Sequence, residues 1–356
     1  MKKTALIMAG GRGERFWPRS RKKLPKQFLA LTDDGKTMIQ LTVERILPLV
    51  QKEDIYISTN KEYSKLIEEQ LPDIPKENIL YEPIGRNTAP CIGLGAVNVA
   101  HKYEDAIMIV LPSDHLIKYN SMFVSTLKDA CEIAEEGDNL VTLGITPDYP
   151  ETGYGYIQFD ADKPYKRAFS VKQIVEKPDL ETAKLYLETE QYLWNSGMFV
   201  WKSSSILKNI EKFMPDIYAG LMNIKNVIGT QDAERILEKE FFAFRSESID
   251  YGIMEKASDI YIIPSTFGWD DVGSWLAIER IRKTDEYGNI VSGNVITVDS
   301  KRCTIEGKEK LIATVGLRDM IIVDTDDAIL ICSKSNTSDI KRVIENLKVC
   351  NRSEYI

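Results

Sequence analysis

The apolar residues of the first 145 positions form short runs that alternate with segments of helical spacing. The runs, each bounded by turn residues, predict four buried strands: ALIMA at 5–9, IYIS at 55–58, AIMIVL at 106–111 and NLVTLGI at 139–145. The segments with apolar residues three and four apart predict amphipathic helices over 38–50, 90–103 and 123–134. Strands and helices in alternation are typical of an α/β fold with a mostly parallel sheet, where ligands bind beyond the carboxyl ends of the strands.

The pattern changes twice towards the C-terminus. It is less regular from about 150 to 275, where strands are predicted near 154–159, 171–175 and 197–202. After TDEYGN at 284–289, five short β-rich pieces follow at close spacing, namely NVITV, CTIEG, LIATV, MIIVD and AILIC. Helical spacing predicts a final helix over 337–348. We therefore expect a main domain over residues 1–284 and a small β-rich domain over residues 285–356.

Composition narrows the possible partners and sites. The 356 residues are 43% hydrophobic, which supplies enough apolar surface for two cores. A net charge of −8 argues against nucleic acid or an anionic membrane as a partner, and no apolar run has the length of a membrane span. Five cysteines without a CxxC pair predict neither a disulfide framework nor a zinc site, which fits a reducing cytoplasm. Two histidines are too few for a His-rich metal site, so carboxylates and lysines must carry the chemistry.

A glycine-rich basic stretch directly follows the first predicted strand. It reads GGRGERFWPRSRKKLPKQF, and Gly10, Gly11 and Gly13 allow backbone amides to approach an anion closely. Its spacing is neither that of a Walker loop nor that of the dinucleotide GxGxxG fingerprint. Seven cations against one acid reverse the sign of the charge locally: Arg12, Arg15, Arg19, Arg21, Lys22, Lys23 and Lys26. A polyanionic ligand explains that reversal, and a solvated basic loop is the alternative.

Two of these cations suit particular contacts. The guanidinium of Arg15 can form a bidentate contact with a phosphate. The ammonium of Lys26, held between Pro25 and Gln27, offers a compact positive charge for a triphosphate. We therefore expect this loop to bind phosphates.

Two acidic motifs suit a metal. LPSDH places Asp114 directly after the strand AIMIVL, where a carboxylate suits Mg²⁺, which binds one or two carboxylates together with phosphate oxygens and water. GWDDVGSW places Asp270 and Asp271 between two tryptophans, and buried carboxylates need a cation or hydrogen bonds. We expect one of these two to meet Asp114 across a metal. Alternatively, Asp114 caps a helix near residue 121 and the acidic pair caps a helix near Gly273.

Three further motifs suit a sugar phosphate. In VEKP, Glu176 can accept from sugar hydroxyls and Lys177 can contact a sugar phosphate. An exposed ion pair at a strand end is an equally ordinary interpretation of this motif. TGYGYI at 152–157 and WNSGMF at 194–199 add glycines and amides against which a sugar ring can lie.

Together, these motifs resemble the sugar-1-phosphate nucleotidyltransferases, specifically their mannose-1-phosphate guanylyltransferase (GDP-mannose pyrophosphorylase) branch. The resemblance spans residues 4 to about 335 and rests on the order GGxGxRxxP…PKQF, EPxGRNTAP, LPSDH, TGYGYI, VEKP, WNSGMF, SIDYGIME and GWDDVGSW. It implies a Rossmann-like, mostly parallel mixed sheet flanked by helices in the catalytic domain, and a small left-handed β-helix-like domain at the C-terminus. The PKQF and GRNTAP forms favour mannose and guanosine over glucose and thymidine.

The resemblance also implies roles for individual residues. The implied nucleotide contacts are Gly10, Gly11, Gly13, Arg15, Lys26, Glu82, Asn87, Thr88, Ala89 and Ser113, and the segment EPIGRNTAP at 82–90 would read the purine. The implied sugar-phosphate contacts are Gly155, Glu176, Lys177 and Asn195. Asp114 and Asp271 would bind Mg²⁺ or another divalent cation, and the implied catalytic residues are Arg15, Lys26, Asp114 and Asp271.

The implied reaction transfers GMP from GTP to α-D-mannose 1-phosphate and yields GDP-mannose and pyrophosphate by direct in-line attack on the α-phosphorus. Two alternatives stay open. One is the same chemistry on another pair, such as glucose 1-phosphate with UTP or dTTP, and the other is a catalytically silent regulatory relative. Because the small β domain of this family often joins two subunits, the resemblance also implies a homodimer, and we expect it in the cytoplasm.

Overall fold

The computed structural model describes residues 1–11 and 13–356, so Arg12 of the glycine-rich stretch lies outside the described residues. The helices are α1 Met38–Ile46, α2 Ser64–Gln70, α3 Thr88–Lys102, α4 Asn120–Glu135, α5 Leu180–Thr189, α6 Ser203–Phe213, α7 Pro215–Val227, α8 Ala233–Ala243, α9 Ile278–Ile281 and α10 Ile340–Val349. The strands are β1 Lys2–Met8, β2 Ile55–Asn60, β3 Ile79–Glu82, β4 Ala106–Pro112, β5 Leu116–Ile117, β6 Leu140–Ile145, β7 Tyr156–Tyr165, β8 Ala168–Val175, β9 Tyr192–Lys202, β10 Ile260–Ser265, β11 Trp269–Asp270, β12 Ile290–Ser292, β13 Val295–Val298, β14 Thr304–Glu306, β15 Ile312–Val315, β16 Met320–Asp324 and β17 Ile329–Ser333.

The chain forms two compact units that do not follow its linear order. The larger unit consists of Met1–Gly10, Thr42–Ser113 and Ile117–Trp269. The smaller unit consists of Gly11–Leu41, Asp114–Leu116 and Asp270–Ile356. The smaller unit therefore combines most of the glycine-rich stretch and both candidate metal aspartates with the β-rich C-terminal region. The domain division at residue 284 stays a prediction.

A nine-stranded sheet forms the centre of the larger unit, in the order β3-β2-β1-β4-β9-β6-β10-β8-β7. β1 is parallel to β2 and β4, and β6 is parallel to β10, whereas β9 is antiparallel to both β4 and β6. The nearly continuous apolar sequences of β1 and β4 fit strands that are buried on both faces. The predicted α/β class with a mixed sheet is confirmed.

The smaller unit contains the parallel β strands expected at the C-terminus. β12, β14 and β16 pair in parallel, as do β13 and β15, and β17 closes the first sheet in the antiparallel direction. One hydrophobic core joins these strands to the glycine-rich stretch, and it includes Phe16, Trp17, Leu29, Val272, Trp275, Ile321, Val323 and Ile344. The β-helix-like region therefore packs beneath the candidate phosphate loop and belongs to its support.

Two negative findings apply to the described part of the chain. None of its helices is both long enough and apolar enough to span a membrane. The five cysteines are all unpaired.

Candidate active site

Gly13 and Lys26 form the closest approach within the glycine-rich stretch. Gly13 has a φ of 60°, in the left-handed region that favours glycine, and a Cβ atom added there would lie 2.3 Å from Lys26 Cβ. Ser20 Oγ donates to Gly13 O at 2.7 Å, and Gln27 Nε2 donates to Gly11 O at 3.0 Å. Glycine is therefore required at position 13, because the loop packs directly on the lysine.

The side chain of Lys26 joins the two acidic motifs. Lys26 is 4% exposed, and its Nζ donates to Asp114 Oδ2 at 2.9 Å and to the backbone oxygen of Asp271 at 2.6 Å. A buried ammonium needs such partners, because an unpaired buried charge is strongly destabilising. These contacts bring both predicted metal aspartates to one positive charge.

Asp114 is held in its ionised form. Burial alone would raise its pKa, but the charge of Lys26 and the hydrogen bond from Lys26 oppose burial, and the pKa stays below its ordinary value. Burial lowers the pKa of His115, which favours a neutral imidazole there. Tyr119 occupies the N-cap position of α4, so Asp114 does not have the alternative capping role. An ionised carboxylate in this position is suited to a divalent cation.

The two acids of GWDDVGSW have different surroundings. Asp270 forms an ion pair with Arg280 and accepts from Val272 N at 2.8 Å. Asp271 Oδ1 accepts from Gly273 N at 3.0 Å, and a Cβ atom at Gly273 would lie 2.6 Å from Asp271 Oδ2. Val272 has a φ of 48°, which is strained for a β-branched residue and typical of functional turns. Asp270 thus stabilises the turn, and Asp271 is the candidate metal ligand.

Trp275 supports this acidic turn. It is fully buried, its Nε1 donates to Trp17 O at 3.1 Å, and its ring centroid lies 5.2 Å from that of Phe16. Ser274 occupies the N-cap position of the short turn Trp275–Ala277, so neither aspartate caps it. This tryptophan therefore links the acidic turn to the glycine-rich stretch.

The remaining cations of the stretch differ in their contacts. Arg19 pairs with Glu306 at 2.7 Å and Arg21 pairs with Asp327 at 2.7 Å, so both hold the loop to the β-rich region. Arg15 is exposed and has no hydrogen-bond or ion-pair partner within 1–11 and 13–356. Part of the basic character is therefore structural, and Arg15 is accessible to a ligand.

In the larger unit, the predicted purine segment lies at the N-terminus of α3. Asn87, with a φ of 69°, caps this helix because its Oδ1 accepts from Thr88 N at 2.8 Å. Thr88 Oγ1 accepts from Ile249 N at 2.8 Å, and Ala89 N donates to Glu247 O at 3.0 Å. The segment is therefore fixed to residues 247–249, which belong to the SIDYGIME region.

Three other predicted nucleotide contacts lie at or near strand ends of the larger unit. Glu82 is 6% exposed and accepts from Ser58 Oγ at 2.8 Å, and burial raises its pKa. Ser113 is buried, and its N donates to Met8 O at 3.1 Å. A Cβ atom at Gly10 would meet nothing within 4 Å. Their roles in nucleotide binding stay predictions.

The predicted sugar-phosphate residues come together in the larger unit. Asn195 N donates to Gly155 O at 2.8 Å, and a Cβ atom at Gly155 would lie 2.3 Å from Glu176 Oε1. Lys177 is exposed, with a φ of 48°. The pKa of Glu176 is raised by burial and by the negative charge of Asp250, although Lys177 and Asn195 act in the opposite direction.

Asp250 belongs to this group and was missed by the sequence analysis. Its Oδ1 accepts from Asn195 Nδ2 at 2.8 Å, and it begins a π-helical turn over Asp250–Met254. Burial raises its pKa, and the hydrogen bond from Asn195 lowers it only in part. The available signal was the motif SIDYGIME, but no spacing rule connects its aspartate with an asparagine 55 residues earlier.

Comparison with known families covers most of the chain. Residues 4–287 match the model described as Nucleotidyl transferase, and residues 293–347 match the model described as MannoseP isomerase/GMP-like beta-helix domain. A mannose-1-phosphate guanylyltransferase of Salmonella montevideo is 41% identical over 361 residues, which is 99% of this chain and 75% of the relative.

Two solved structures are similar to the chain. One is a Thermus thermophilus protein described as a mannose-1-phosphate geranyltransferase, with a TM-score of 0.88 and 31% identity over 98% of this chain and all of that protein. The other is described as a mannose-6-phosphate isomerase from Helicobacter pylori, with a TM-score of 0.61 and 27% identity over 75% of this chain and 99% of that protein.

Proposed function

Because the chain belongs to the nucleotidyl transferase family, as an enzyme similar throughout to mannose-1-phosphate guanylyltransferases, we propose that it transfers GMP from GTP to α-D-mannose 1-phosphate. The products are GDP-mannose and pyrophosphate. The observation that carries the proposal is the contact of Lys26 Nζ with Asp114 and Asp271 beside the Gly13 turn. A cation that pairs with the Asp114 carboxylate and holds the backbone of the acidic turn at Asp271 suits the transfer of a nucleotidyl group between phosphates.

The reaction needs no covalent enzyme intermediate. A phosphate oxygen of mannose 1-phosphate attacks the α-phosphorus, and the bond from that phosphorus to the oxygen bridging to the β-phosphorus breaks. The electron pair leaves with pyrophosphate. No general base is required, because the attacking phosphate is already ionised at neutral pH. Arg15 and Lys26 neutralise charge on the phosphates, so positioning and electrostatics supply most of the acceleration.

The residues present fit Mg²⁺ or a similar hard divalent cation. Asp114 and Asp271 offer carboxylate oxygens only, and Mg²⁺ takes one or two carboxylates and completes its shell with phosphate oxygens and water. Over the described residues there is no group of three or more histidines, cysteines and acids that would suit another kind of metal site. When bound, the cation would neutralise charge that develops on the phosphates.

Further substrate contacts are proposed within the larger unit, taken by itself. We assign the purine to the segment at 82–90, where Asn87, Thr88 and Ala89 form the start of α3. We assign mannose 1-phosphate to Gly155, Glu176, Lys177 and Asn195. The mutual contacts of Gly155, Glu176 and Asn195 support one binding surface for the sugar.

A matrix of substrates tests the proposal. Pyrophosphate release is measured for GTP, UTP and dTTP against mannose, glucose and galactose 1-phosphates in the presence of Mg²⁺. GTP with mannose 1-phosphate is expected to give the highest kcat/KM. A preference for a pyrimidine triphosphate would instead support the glucose 1-phosphate alternative. Binding of GTP without pyrophosphate release from any pair would support the silent regulatory alternative.

We further propose that the enzyme works in the cytoplasm as a homodimer. The five free cysteines fit a reducing compartment. Light scattering coupled to size-exclusion chromatography gives the mass in solution, and a mass of one chain at working concentration would contradict the dimer.

A further inference from the structure

Asn195 is held by hydrogen bonds at both ends of its side-chain amide. Its Nδ2 donates to Asp250 Oδ1 at 2.8 Å, and its Oδ1 accepts from Gly197 N at 3.0 Å. Gly197 has a φ of 67°, a conformation that favours glycine and places this amide proton for the contact. The amide therefore has one orientation, since an ionised carboxylate accepts only and a backbone N–H donates only.

The hydrogen-bond donors and acceptors of the Asn195 amide are not all used within the protein. The amide nitrogen has two N–H donors and the oxygen has two lone pairs, and the two contacts above use one of each. The side-chain hydrogen bond of Asn195 to Glu176 uses the second donor, so one lone pair of Oδ1 remains for a ligand. This lone pair can accept from a sugar hydroxyl, because a hydroxyl is a donor as well as an acceptor.

The position of Asp250 is fixed from its N-terminal side. Ile249 N donates to Thr88 Oγ1 at 2.8 Å, and Glu247 exchanges backbone hydrogen bonds with Arg86 and Ala89 at 3.2 and 3.0 Å. Asp250 is also the first residue of the π-helical turn, and π-helical turns are frequent at functional sites. The segment 247–250 thus connects the start of α3 with the Asn195 amide.

The charges around Asp250 indicate that this residue serves binding rather than the stability of the fold. Asp250 lies close enough to Glu176 to raise the pKa of that carboxyl, and burial raises the pKa of both. Lys177 is the cation that acts on both carboxyls. Two half-buried acids near each other are unfavourable for folding, an arrangement that is more typical of binding sites than of structural positions.

We propose that Asp250 is a positioning residue that fixes the Asn195 amide for one hexose hydroxyl and thereby determines which hexose 1-phosphate is accepted. The inference rests on the proposed function, because it takes the Gly155, Glu176 and Asn195 surface as the sugar site. Asp250 acts through Asn195 and needs no contact of its own with the substrate. Without an acceptor at position 250, the amide loses one of the contacts that fix it, so its oxygen is no longer held in one place for the hydroxyl.

The test compares hexose selectivity in Asp250→Leu, which removes the acceptor for Asn195, with that of the unchanged protein. Selectivity is the ratio of kcat/KM between the best hexose 1-phosphate and its epimers, with the best nucleotide held saturating. In Asp250→Leu we expect this ratio to fall about tenfold or more, mainly through KM of the sugar phosphate, while KM of the nucleotide stays within about twofold. Asp250→Asn keeps an acceptor oxygen and should largely restore the ratio. Asp259→Asn is the matched control, because Asp259 is an exposed acid nine residues away, and its ratio should not change.

A double-mutant cycle separates positioning from a general structural effect. In an Asn195→Ala background, Asp250→Leu is expected to cause no further loss of selectivity, because there is no amide left to orient. Equal loss of kcat/KM for all hexoses, or additive effects in the cycle, would overturn the proposal.

The same data distinguish a failure of the proposed function from a failure of the Asp250 proposal. If the unchanged protein prefers a sugar other than mannose, the proposed function fails, but the Asp250 effect is still read on the preferred sugar. If no sugar phosphate is used at all, both fail. If mannose 1-phosphate is preferred and Asp250→Leu keeps that preference, only the Asp250 inference fails.

Discussion

Lys26 and Asp114 form an ion pair in which Nζ lies 2.9 Å from Oδ2, with the lysine buried and the carboxylate side chain one-third exposed (33%). The Lys26 ammonium is thus fixed in the protein interior, and part of the Asp114 carboxylate faces solvent. A lysine that is paired in this way can keep its ammonium in place while phosphates enter and leave the site.

Replacing Lys26 with Met keeps much of the side-chain volume and removes the charge. We expect kcat/KM to fall about 10²-fold or more, because charge on the phosphates is no longer neutralised. The pKa of Asp114 should also rise, since the charge of Lys26 lowers it. Pyrophosphate release measures the first effect, and Lys23→Met, at an exposed position of the same stretch, is the control. Equal activities of the two variants would remove Lys26 from the catalytic residues.

The acidic pair allows a second matched comparison. Asp271→Asn should lower kcat about 10²-fold with little change in Tm, because Lys26 contacts the backbone oxygen of Asp271 and an amide oxygen can still accept from Gly273. Asp270→Asn should lower Tm, because it weakens the ion pair with Arg280. Thermal melts and single-turnover kinetics on both variants check the assignment. The reverse pattern would make Asp270 the metal ligand.

The charge of Asp250 should make its contribution to stability depend on pH. Its folded pKa is raised by burial, so that contribution is full below the ordinary aspartate pKa of about 3.9 and is lost as pH rises towards the folded pKa. Asp250→Asn does not titrate and escapes this loss, and its amide oxygen can still accept from Asn195. We expect this variant to be more stable than the unchanged protein at neutral pH and to lose that advantage near pH 4.

Urea unfolding at several pH values measures the difference. A variant that is less stable than the unchanged protein at neutral pH would show that the ionised carboxylate stabilises the fold. That result would also show that the groups around Asp250 stabilise its negative charge by more than burial destabilises it.

The shared core of the smaller unit gives a prediction about distant positions. Ile321 of β16 is fully buried with Phe16 and Trp275, so Ile321→Ala should lower the free energy of unfolding by about 2–5 kcal/mol. Ile331 of β17 is 66% exposed, and Ile331→Ala should change it by less than about 0.5 kcal/mol. Urea unfolding compares the two. Similar losses would mean that the core beneath the glycine-rich stretch does not limit stability.

Much of the fold could be predicted from the sequence because the buried faces are long and regular. The runs at 5–9 and 106–111 correspond to β1 and β4, and the helix predicted over 90–103 is α3. Strand β10 was not predicted, since its sequence IYIIPS contains a proline that weakens the strand pattern. The insertion of β9 between β4 and β6 depends on long-range pairing, which no local pattern encodes.

The candidate site was predictable to a similar extent and for similar reasons. Lys26, Asp114 and Asp271 each lie in a compact motif, and Lys26 contacts the carboxylate of Asp114 and the backbone of Asp271. Their roles as metal ligands and catalytic residues stay predictions. Arg19 was counted among the cations for phosphate, but its partner Glu306 is 287 residues away and invisible to local analysis. Asp250 was missed because its importance depends on its hydrogen bond with Asn195, which exists only after folding.

The core that joins the glycine-rich stretch to the C-terminal strands also determines when the site can form during synthesis. Phe16 and Trp17 leave the ribosome early, but their partners Trp275, Ile321 and Ile344 follow more than 250 residues later. Translation at about 5–20 residues per second leaves this loop without its apolar partners for many seconds. A nascent chain can therefore build its large sheet first, and the glycine-rich stretch acquires its apolar support only after residues 275–344 have been synthesised.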